Sequence, residues 1–451
     1  MMDIDLTKGK INTHIKNISI PASIGMLFNT LFNVVDTIFG GKISTNALAG
    51  MSLSFPIFFI VISLSSGIGT GSTALISNAL GEKDTNKYNH YGYNGLVIGI
   101  FFSIVITILG KIISPYLFTI LSEEKTTYIY GIDYINIIFY GSIFFVLNAI
   151  LNAMLSSQGD TRSYRNFLII GFLLNLLLDP LFILGWVGLP RLGTMGIALA
   201  TVIVQFVGTI YLAYRVYKSQ MFDIKEFLNA KFSIKVCIEI LKQGIPASLN
   251  MMTIALGVFV INYFASKYGG DVSVAAYGAA VRIEQLALLP ALGLNTAALT
   301  ISGQNYGGKE YGRIIEVYKR TLLYGVTIMT IGMVVIYPLA DILVSIFTDD
   351  LQLINIGTEY LRIEFWAFNT YVLLNISISI LQGMKKPFWA IYVGLYRQIL
   401  MPIIVFYAFG TLLGMGIYGV WWGIVVINWS AAIITVLYTL YKLIGLKKEI
   451  K

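Results

Sequence analysis

The chain has one cysteine and two histidines in 451 residues, and only 12% of it is charged. A lone cysteine, Cys237, rules out an intrachain disulfide and reads as a small apolar filler. His14 and His90 both fall outside the apolar runs. No HExxH, GxSxG or phosphate-cradling GxxxxGK[ST] pattern is present. Metalloprotease, serine-hydrolase and ATP-driven chemistry therefore have no support, and neither an enzyme nor a cofactor is expected. The charged fraction is half the roughly 25% usual in soluble proteins. The first ~15 residues have no apolar core and no small-residue cleavage site, so no cleavable signal is expected and the first apolar segment would direct insertion.

What the chain does have is apolar length. It is 57% hydrophobic, with runs of ~20 residues that no soluble fold of this size repeats, so it reads as an all-α polytopic membrane protein. Hydropathy places twelve spans near 18–39, 53–78, 91–114, 132–156, 166–186, 195–216, 240–264, 273–302, 321–347, 358–381, 388–409 and 416–441. Loops on the side of the N-terminus carry 23 of the 31 Lys and Arg residues, and the opposite side carries five: Lys42, Lys111, Lys125, Arg191 and Lys267. That alternation places both termini in the cytoplasm and the chain in the plasma (inner) membrane. It also accounts for the net charge of +8 without a nucleic-acid partner.

The sequence repeats itself. Ile20-Pro-Ala-Ser23 recurs as Ile245-Pro-Ala-Ser248, and the stretch from Ile76 to Asp84 is echoed from Ile301 to Glu310. Gln158-Gly159 matches Gln382-Gly383, and Met195-Gly-Ile197 matches Met415-Gly-Ile417. Two six-span copies in one orientation are a transporter architecture. The expected organisation is an N-lobe over 1–217, a basic cytoplasmic connector over 218–239 and a C-lobe over 240–451.

Polar groups inside the spans carry the functional signal. Asn29, Asn33 and Asp36 fall at i, i+4 and i+7 of the first span, on one helical face, with Pro21 able to bend the same helix. A carboxylate at membrane depth costs about 2.5–3.5 kcal/mol on insertion scales and by default marks a site. Asn148 and Asn152 are four apart in the fourth span, Asn175 and Asp179 in the fifth, and Thr201 and Gln205 in the sixth. Two chemistries fit: carboxylates that exchange a proton, or an oxygen cage for Na⁺ built from Asp36, Asn175, Asp179 and Thr201. The bland alternative is that the amides are interhelical glue, worth about 0.6 kcal/mol each. In the second half, Arg282 and Gln285 share a face, Glu284 points elsewhere, and Arg397 is a candidate partner for Glu284. These four form either a structural ion-pair set or a coupling site. Trp366, Trp389, Trp421 and Trp422 are expected in an interfacial belt.

Several stretches together resemble the multidrug and toxin extrusion (MATE) family, on the bacterial DinF-like and MepA-like side. They are Asp36, Gln158-Gly-Asp-Thr-Arg162, Asn175-Leu-Leu-Leu-Asp-Pro-Leu181, Gly196-Ile-Ala-Leu-Ala-Thr201 and Gly303-Gln-Asn-Tyr-Gly307. The resemblance implies a V-shaped fold of two six-helix lobes and export of organic cations by H⁺ or Na⁺ antiport. It assigns coupling to Asp36, Asp179 and Asn175, with Thr201 near the sixth-span hydroxyl and Pro21 as the bending proline. The substrate cavity would then take Asn29, Asn33, Asn148, Asn152 and Gln205. The chain departs from the NorM-like pattern, because the seventh span has no acid and the tenth has only Glu359 and Glu364, near its outer end. Partners implied are small organic cations and membrane lipid, with the chain acting as a monomer. The rival readings are a lipid-linked oligosaccharide flippase or metabolite exporter of the same superfamily and, outside transport, a membrane-embedded enzyme or receptor.

Overall fold

Length and hydrophobicity leave the chain one way to satisfy its backbone in lipid, and it takes it: the structure is almost entirely α-helical. The computed structural model describes residues 5–121, 124–188 and 190–448. The helices are α1 (Ile11–Ile43), α2 (Thr45–Gly81), α3 (Thr85–Leu121), α4 (Lys125–Ser157), α5 (Arg162–Leu184), α6 (Thr194–Tyr217) and α7 (Ile224–Asn229). They continue as α8 (Ile234–Gly307), α9 (Tyr311–Ser345), α10 (Leu351–Glu364), α11 (Phe368–Gly383), α12 (Trp389–Leu395), α13 (Met401–Tyr407) and α14 (Ile417–Lys448). Among the described residues ten helices are long and apolar enough to cross a membrane, or eleven if α10 and α11 form one bent span.

The 74-residue α8 would be about 110 Å long at 1.5 Å per residue, far more than a bilayer is thick. It is broken at Gly270, whose φ of 69° and ψ of −172° only glycine adopts readily. That break lies between the expected seventh and eighth spans. The expected tenth span is not one straight helix, because α10 and α11 meet at 53°. Between them, tight i→i+3 bonds from Trp366 to Ile363 and from Ala367 to Glu364 replace the regular ladder. The expected eleventh span is interrupted by π-helical turns at Tyr396–Leu400 and Ala408–Leu412. Pro402, just beyond the first, has no N–H to give the ordinary i−4 carbonyl.

The chain forms two compact units. One is Ile24–Ser248; the other combines Leu6–Ser23 with the chain from Leu249 onward. The boundaries fall at the two copies of Ile-Pro-Ala-Ser, which explains that repeat. In the first unit Gly67 of α2 lies against α8 so closely that a Cβ there would stand 2.7 Å from the Ser248 nitrogen. In the second, a Cβ at Gly293 of α8 would stand 2.9 Å from the Ser23 nitrogen of α1. Small residues let helix backbones touch where lipid gives no hydrophobic drive for association.

The other repeated motifs close helices. Lys83 and Lys309 end α2 and α8 with φ of 60°, while Gly159 (φ 82°) and Lys385 (φ 57°) follow α4 and α11. Asp160 of the Gln-Gly-Asp stretch accepts from the Ser163 amide at 3.0 Å and pairs with Arg215 at 3.2 Å. Gln304 and Asn305 of the Gly-Gln-Asn-Tyr-Gly stretch bond the backbone of Leu6 at 3.0 and 3.1 Å, fastening the chain ahead of α1 to the second unit.

The second unit's core corrects one expectation. Trp421 is not an interfacial residue but buried, packed between Tyr277 (5.8 Å between centroids) and Tyr360 (4.9 Å). Trp366 and Trp422 are exposed, and Trp389 stacks on Tyr438 at 3.9 Å.

Candidate functional site

In the first unit α1, α5 and α6 bring Asp36, Asn175, Asp179 and Thr201 into one buried cluster. The Asn175 amide donates to Asp36 Oδ1 at 3.0 Å and to Asp179 Oδ1 at 3.1 Å, so one NH₂ group bridges two carboxylates. The Thr201 hydroxyl donates to the other Asp36 oxygen at 3.2 Å. Asn175 and Asp179 are 0% exposed, Thr201 1% and Asp36 6%. The one-turn spacing of Asn175 and Asp179 on α5 makes this possible, because it aims both at α1. Among the described residues, two acceptors inside the cluster, Asn175 Oδ1 and Asp179 Oδ2, have no hydrogen-bond partner. Among those residues no basic group acts on either carboxylate. Chemically this is a set of converging oxygens with excess negative charge and vacant acceptor capacity, which a proton or a small hard cation would complete.

The other polar groups of this unit separate into two kinds. Asn148 is buried and donates to the Gln205 side chain at 2.8 Å and to its carbonyl at 2.9 Å, while Thr209 donates to Asn148 Oδ1 at 2.9 Å. That network spends the amides on each other and ties α4 to α6. Asn152 is half-buried. Asn29 and Asn33 are exposed, Asn33 donating to the Asn29 carbonyl at 3.0 Å. The polar stripe read along the first span is therefore not uniform: its Asp36 end is covered by α5 and α6, and its amide end is open. Helical spacing places residues on a face but does not say where along the helix a neighbour stops covering it. Pro21 is buried within α1, which runs unbroken through it.

The second unit contains an acidic centre that sequence reasoning only half found. Glu284 of α8 is buried and accepts from the Tyr360 hydroxyl at 3.0 Å. Glu364 is not near an outer end in any exposed sense: it is 0% exposed, at the bend between α10 and α11, and accepts from the Tyr371 hydroxyl at 2.9 Å. The Arg397 guanidinium lies 5.5 Å from the Tyr371 ring centroid and within electrostatic reach of both glutamates. Glu359, one turn earlier, is exposed and bonded to Tyr418. The available signal for Glu364 was its place in the apolar stretch Ile363–Phe368, the same kind of signal that marked Asp36. Arg282 and Gln285 are both exposed, on a different face from Glu284, as their spacing requires.

One family model matches the chain twice, over residues 21–181 and 246–408, so that each match opens on the proline of an Ile-Pro-Ala-Ser copy. The chain belongs to the MatE family. Among its relatives, the "Probable multidrug resistance protein NorM" of Thermotoga maritima is 28% identical over 353 residues, covering 77% of this chain and 75% of that protein. The "Probable multidrug resistance protein YoeA" of Bacillus subtilis is 25% identical over 418 residues, covering 91% and 89%. A solved structure described as the outward-facing conformation of a multidrug resistance MATE family transporter superposes with a TM-score of 0.92 at 26% identity, covering 99% of both chains. As a MatE protein the chain is a multi-pass membrane transporter of the multidrug efflux family. The doubled family match also gives the internal repeat its meaning, since each copy of the fold has its own buried acidic pair.

Proposed function

We propose that this MatE protein is a secondary antiporter that exports amphipathic organic compounds, cations included, in exchange for H⁺ or Na⁺ by alternating access. The observation that carries the proposal is the buried cluster of Asp36, Asn175, Asp179 and Thr201, with two acceptor oxygens unpartnered and no base at hand among the described residues. A buried pair of carboxylates without a counter-charge is costly to keep ionised, and binding one cation relieves that cost. An ion bound there in one conformation and lost in the other supplies the differential affinity that exchange requires. Asp36, Asp179, Asn175 and Thr201 would couple, and the open amides Asn29 and Asn33 would meet substrate. Asn148 and Gln205 would hold α4 against α6, and Pro21 would be the bending point of α1.

The reading extends to twelve crossings, with α8 counted twice across Gly270 and α10–α11 once, a monomer in the plasma membrane and both termini cytoplasmic. It needs no cofactor besides the coupling ion and no partner besides substrate and lipid. The test is uptake of a cationic dye such as ethidium into proteoliposomes under a pH gradient and under a Na⁺ gradient imposed separately. Uptake driven by one gradient and abolished when it is collapsed is the expected result. Dye movement indifferent to both gradients would overturn the antiport reading and favour a metabolite or lipid flippase.

A further inference from the structure

The connector between α6 and α8 is held at the level where the third apolar run begins, near residue 91. Asn89 and Asn94 of α3 are buried and stand on either side of that residue, within about 5 Å of it along the axis. The Asn89 amide donates to the Met221 carbonyl at 3.4 Å and to Glu226 at 3.0 Å, and its oxygen accepts from the Asp223 amide at 3.3 Å. Further along α3, Asn94 accepts from the Ser233 amide at 2.8 Å and donates to the Lys231 carbonyl at 3.3 Å. Phe227 of α7 packs edge-on against Tyr93, with 5.6 Å between ring centroids. All of these residues belong to the first unit. The connector therefore lies along the membrane boundary instead of extending away from it.

Its charges are sorted by sign. The three acids of the segment are engaged within the protein: Asp223 caps α7 through the Lys225 and Glu226 amides, Glu226 is bonded to Asn89, and Glu239 accepts from the Tyr91 hydroxyl at 2.8 Å. Lys225, Lys231 and Lys235 are exposed, and among the described residues they form no ion pair. Ile224, Leu228, Phe232 and Ile234 are exposed and interleaved with them. Large apolar side chains alternating with unpaired ammonium groups suit neither bulk water nor the hydrocarbon core. They suit the headgroup layer, where an acyl boundary and headgroup charge adjoin.

We infer that the connector seats on the membrane surface and binds anionic phospholipid, its lysines on the headgroups and its apolar side chains at the acyl boundary. Charge complementarity decides the occupant. A neutral surface would leave the ammonium groups uncompensated, and a soluble partner would have to reach headgroup depth. Each lysine near an anionic surface is worth about five-fold in partitioning. The inference needs only a chain that crosses the membrane, and it stands or falls apart from antiport.

The test uses the full chain in lipid nanodiscs of phosphatidylcholine, alone or with a minor share of phosphatidylglycerol. Leu228→Cys carries a bimane label, Cys237 being buried. A nitroxide lipid, spin-labelled high on its acyl chain, quenches what lies at the boundary. Quenching is expected in both lipids and about two-fold more strongly with phosphatidylglycerol. Lys225→Gln, Lys231→Gln and Lys235→Gln together should abolish that difference. Losing the same charge from exposed positions elsewhere, through Lys10→Gln, Lys16→Gln and Lys319→Gln together, should leave it in place. A second readout needs no label: phosphatidylglycerol retained through purification, counted per chain by native mass spectrometry, should fall several-fold in the connector variant alone. A monodisperse elution profile shows that each variant is folded. Absence of quenching in either lipid would overturn the inference and leave the surface to a soluble partner. Equal quenching in the two lipids, or equal loss from the two lysine sets, would overturn the choice of anionic lipid. Neither readout involves a gradient or an exported compound, so failure here leaves the antiport reading where it stood.

Discussion

The two units build a buried pair of carboxylates on the same repeated scaffold but compensate them differently. In the first unit Asp36 and Asp179 touch each other and share the Asn175 amide, and among the described residues no base acts on them. In the second, Tyr360 donates to Glu284 and Tyr371 to Glu364, Tyr371 also reaching Glu284, and Arg397 is within electrostatic reach of both. An amide bridge satisfies geometry without cancelling charge, so under the proposed antiport the first pair takes its counter-charge from solution. The second pair finds phenolic donors and a guanidinium within the protein, although Glu364 Oε2, like Asp179 Oδ2, has no hydrogen-bond partner among the described residues. Under the proposed antiport, the difference separates a centre that exchanges an ion from one held from within the protein, even though both would count equally as intramembrane acids.

The sharpest way to break that contrast is to remove one charge at a time. Asp36→Asn or Asp179→Asn should abolish gradient-driven dye uptake in proteoliposomes while leaving dye binding intact. Glu284→Gln and Glu364→Gln should leave gradient dependence in place and lower the melting temperature instead, because each unbalances a buried charged network. If the glutamate variants lose energised uptake as completely as the aspartate variants, both centres couple and the contrast is wrong.

The crossings should behave alike where the acidic centres do not. Gly67→Val in the first unit and Gly293→Val in the second each force a side chain into backbone that already touches. Overpacking of this kind costs about 1–3 kcal/mol, and helices held backbone to backbone have little room to yield. Similar drops in thermal stability in detergent are expected for both. A drop confined to one unit would mean that the matching Ile-Pro-Ala-Ser copies do not serve matching packing roles.

Much of this was legible beforehand for a physical reason. Asp36, Asn175, Asp179 and Thr201 lie inside apolar runs, where any polar group is conspicuous, and the four-residue spacing of Asn175 and Asp179 fixes a shared face. In sequence Glu364 stands near the outer end of the tenth span, and that position says nothing of whether a neighbour covers it. The 53° bend beside it comes from tight i→i+3 turns, with no proline or glycine to announce them. Trp421 was misplaced for a related reason, since tryptophan near a span end suits an interface and an aromatic core equally well. Asn148 could not be sorted from Asn29 and Asn33 by spacing, because what separates them is whether a second helix offers a partner, as Gln205 does. The exposure of Arg282 is likewise invisible in sequence, where it looks like one end of an ion pair.

The smallest expected effect probes the donors themselves. Asn175→Leu keeps the branched four-atom skeleton of the amide and strips hydrogen bonds from two carboxylates at once. Tyr360→Phe strips one from Glu284 and leaves its surroundings packed. Leaving a buried acceptor unsatisfied costs about 1–3 kcal/mol, so the asparagine variant should melt lower than the tyrosine variant. The two should also differ in how they respond to ions. If the first centre takes its counter-charge from solution, the Asn175→Leu deficit should shrink when the coupling ion is raised, whether that is Na⁺ or a lower pH, because bound ion substitutes for the missing donor. The Tyr360→Phe deficit should not move with Na⁺, because Arg397 remains within electrostatic reach of Glu284 whatever salt the solution contains. Equal ion sensitivity of the two deficits would show that the amide bridge and the tyrosine–arginine cover are two forms of one device.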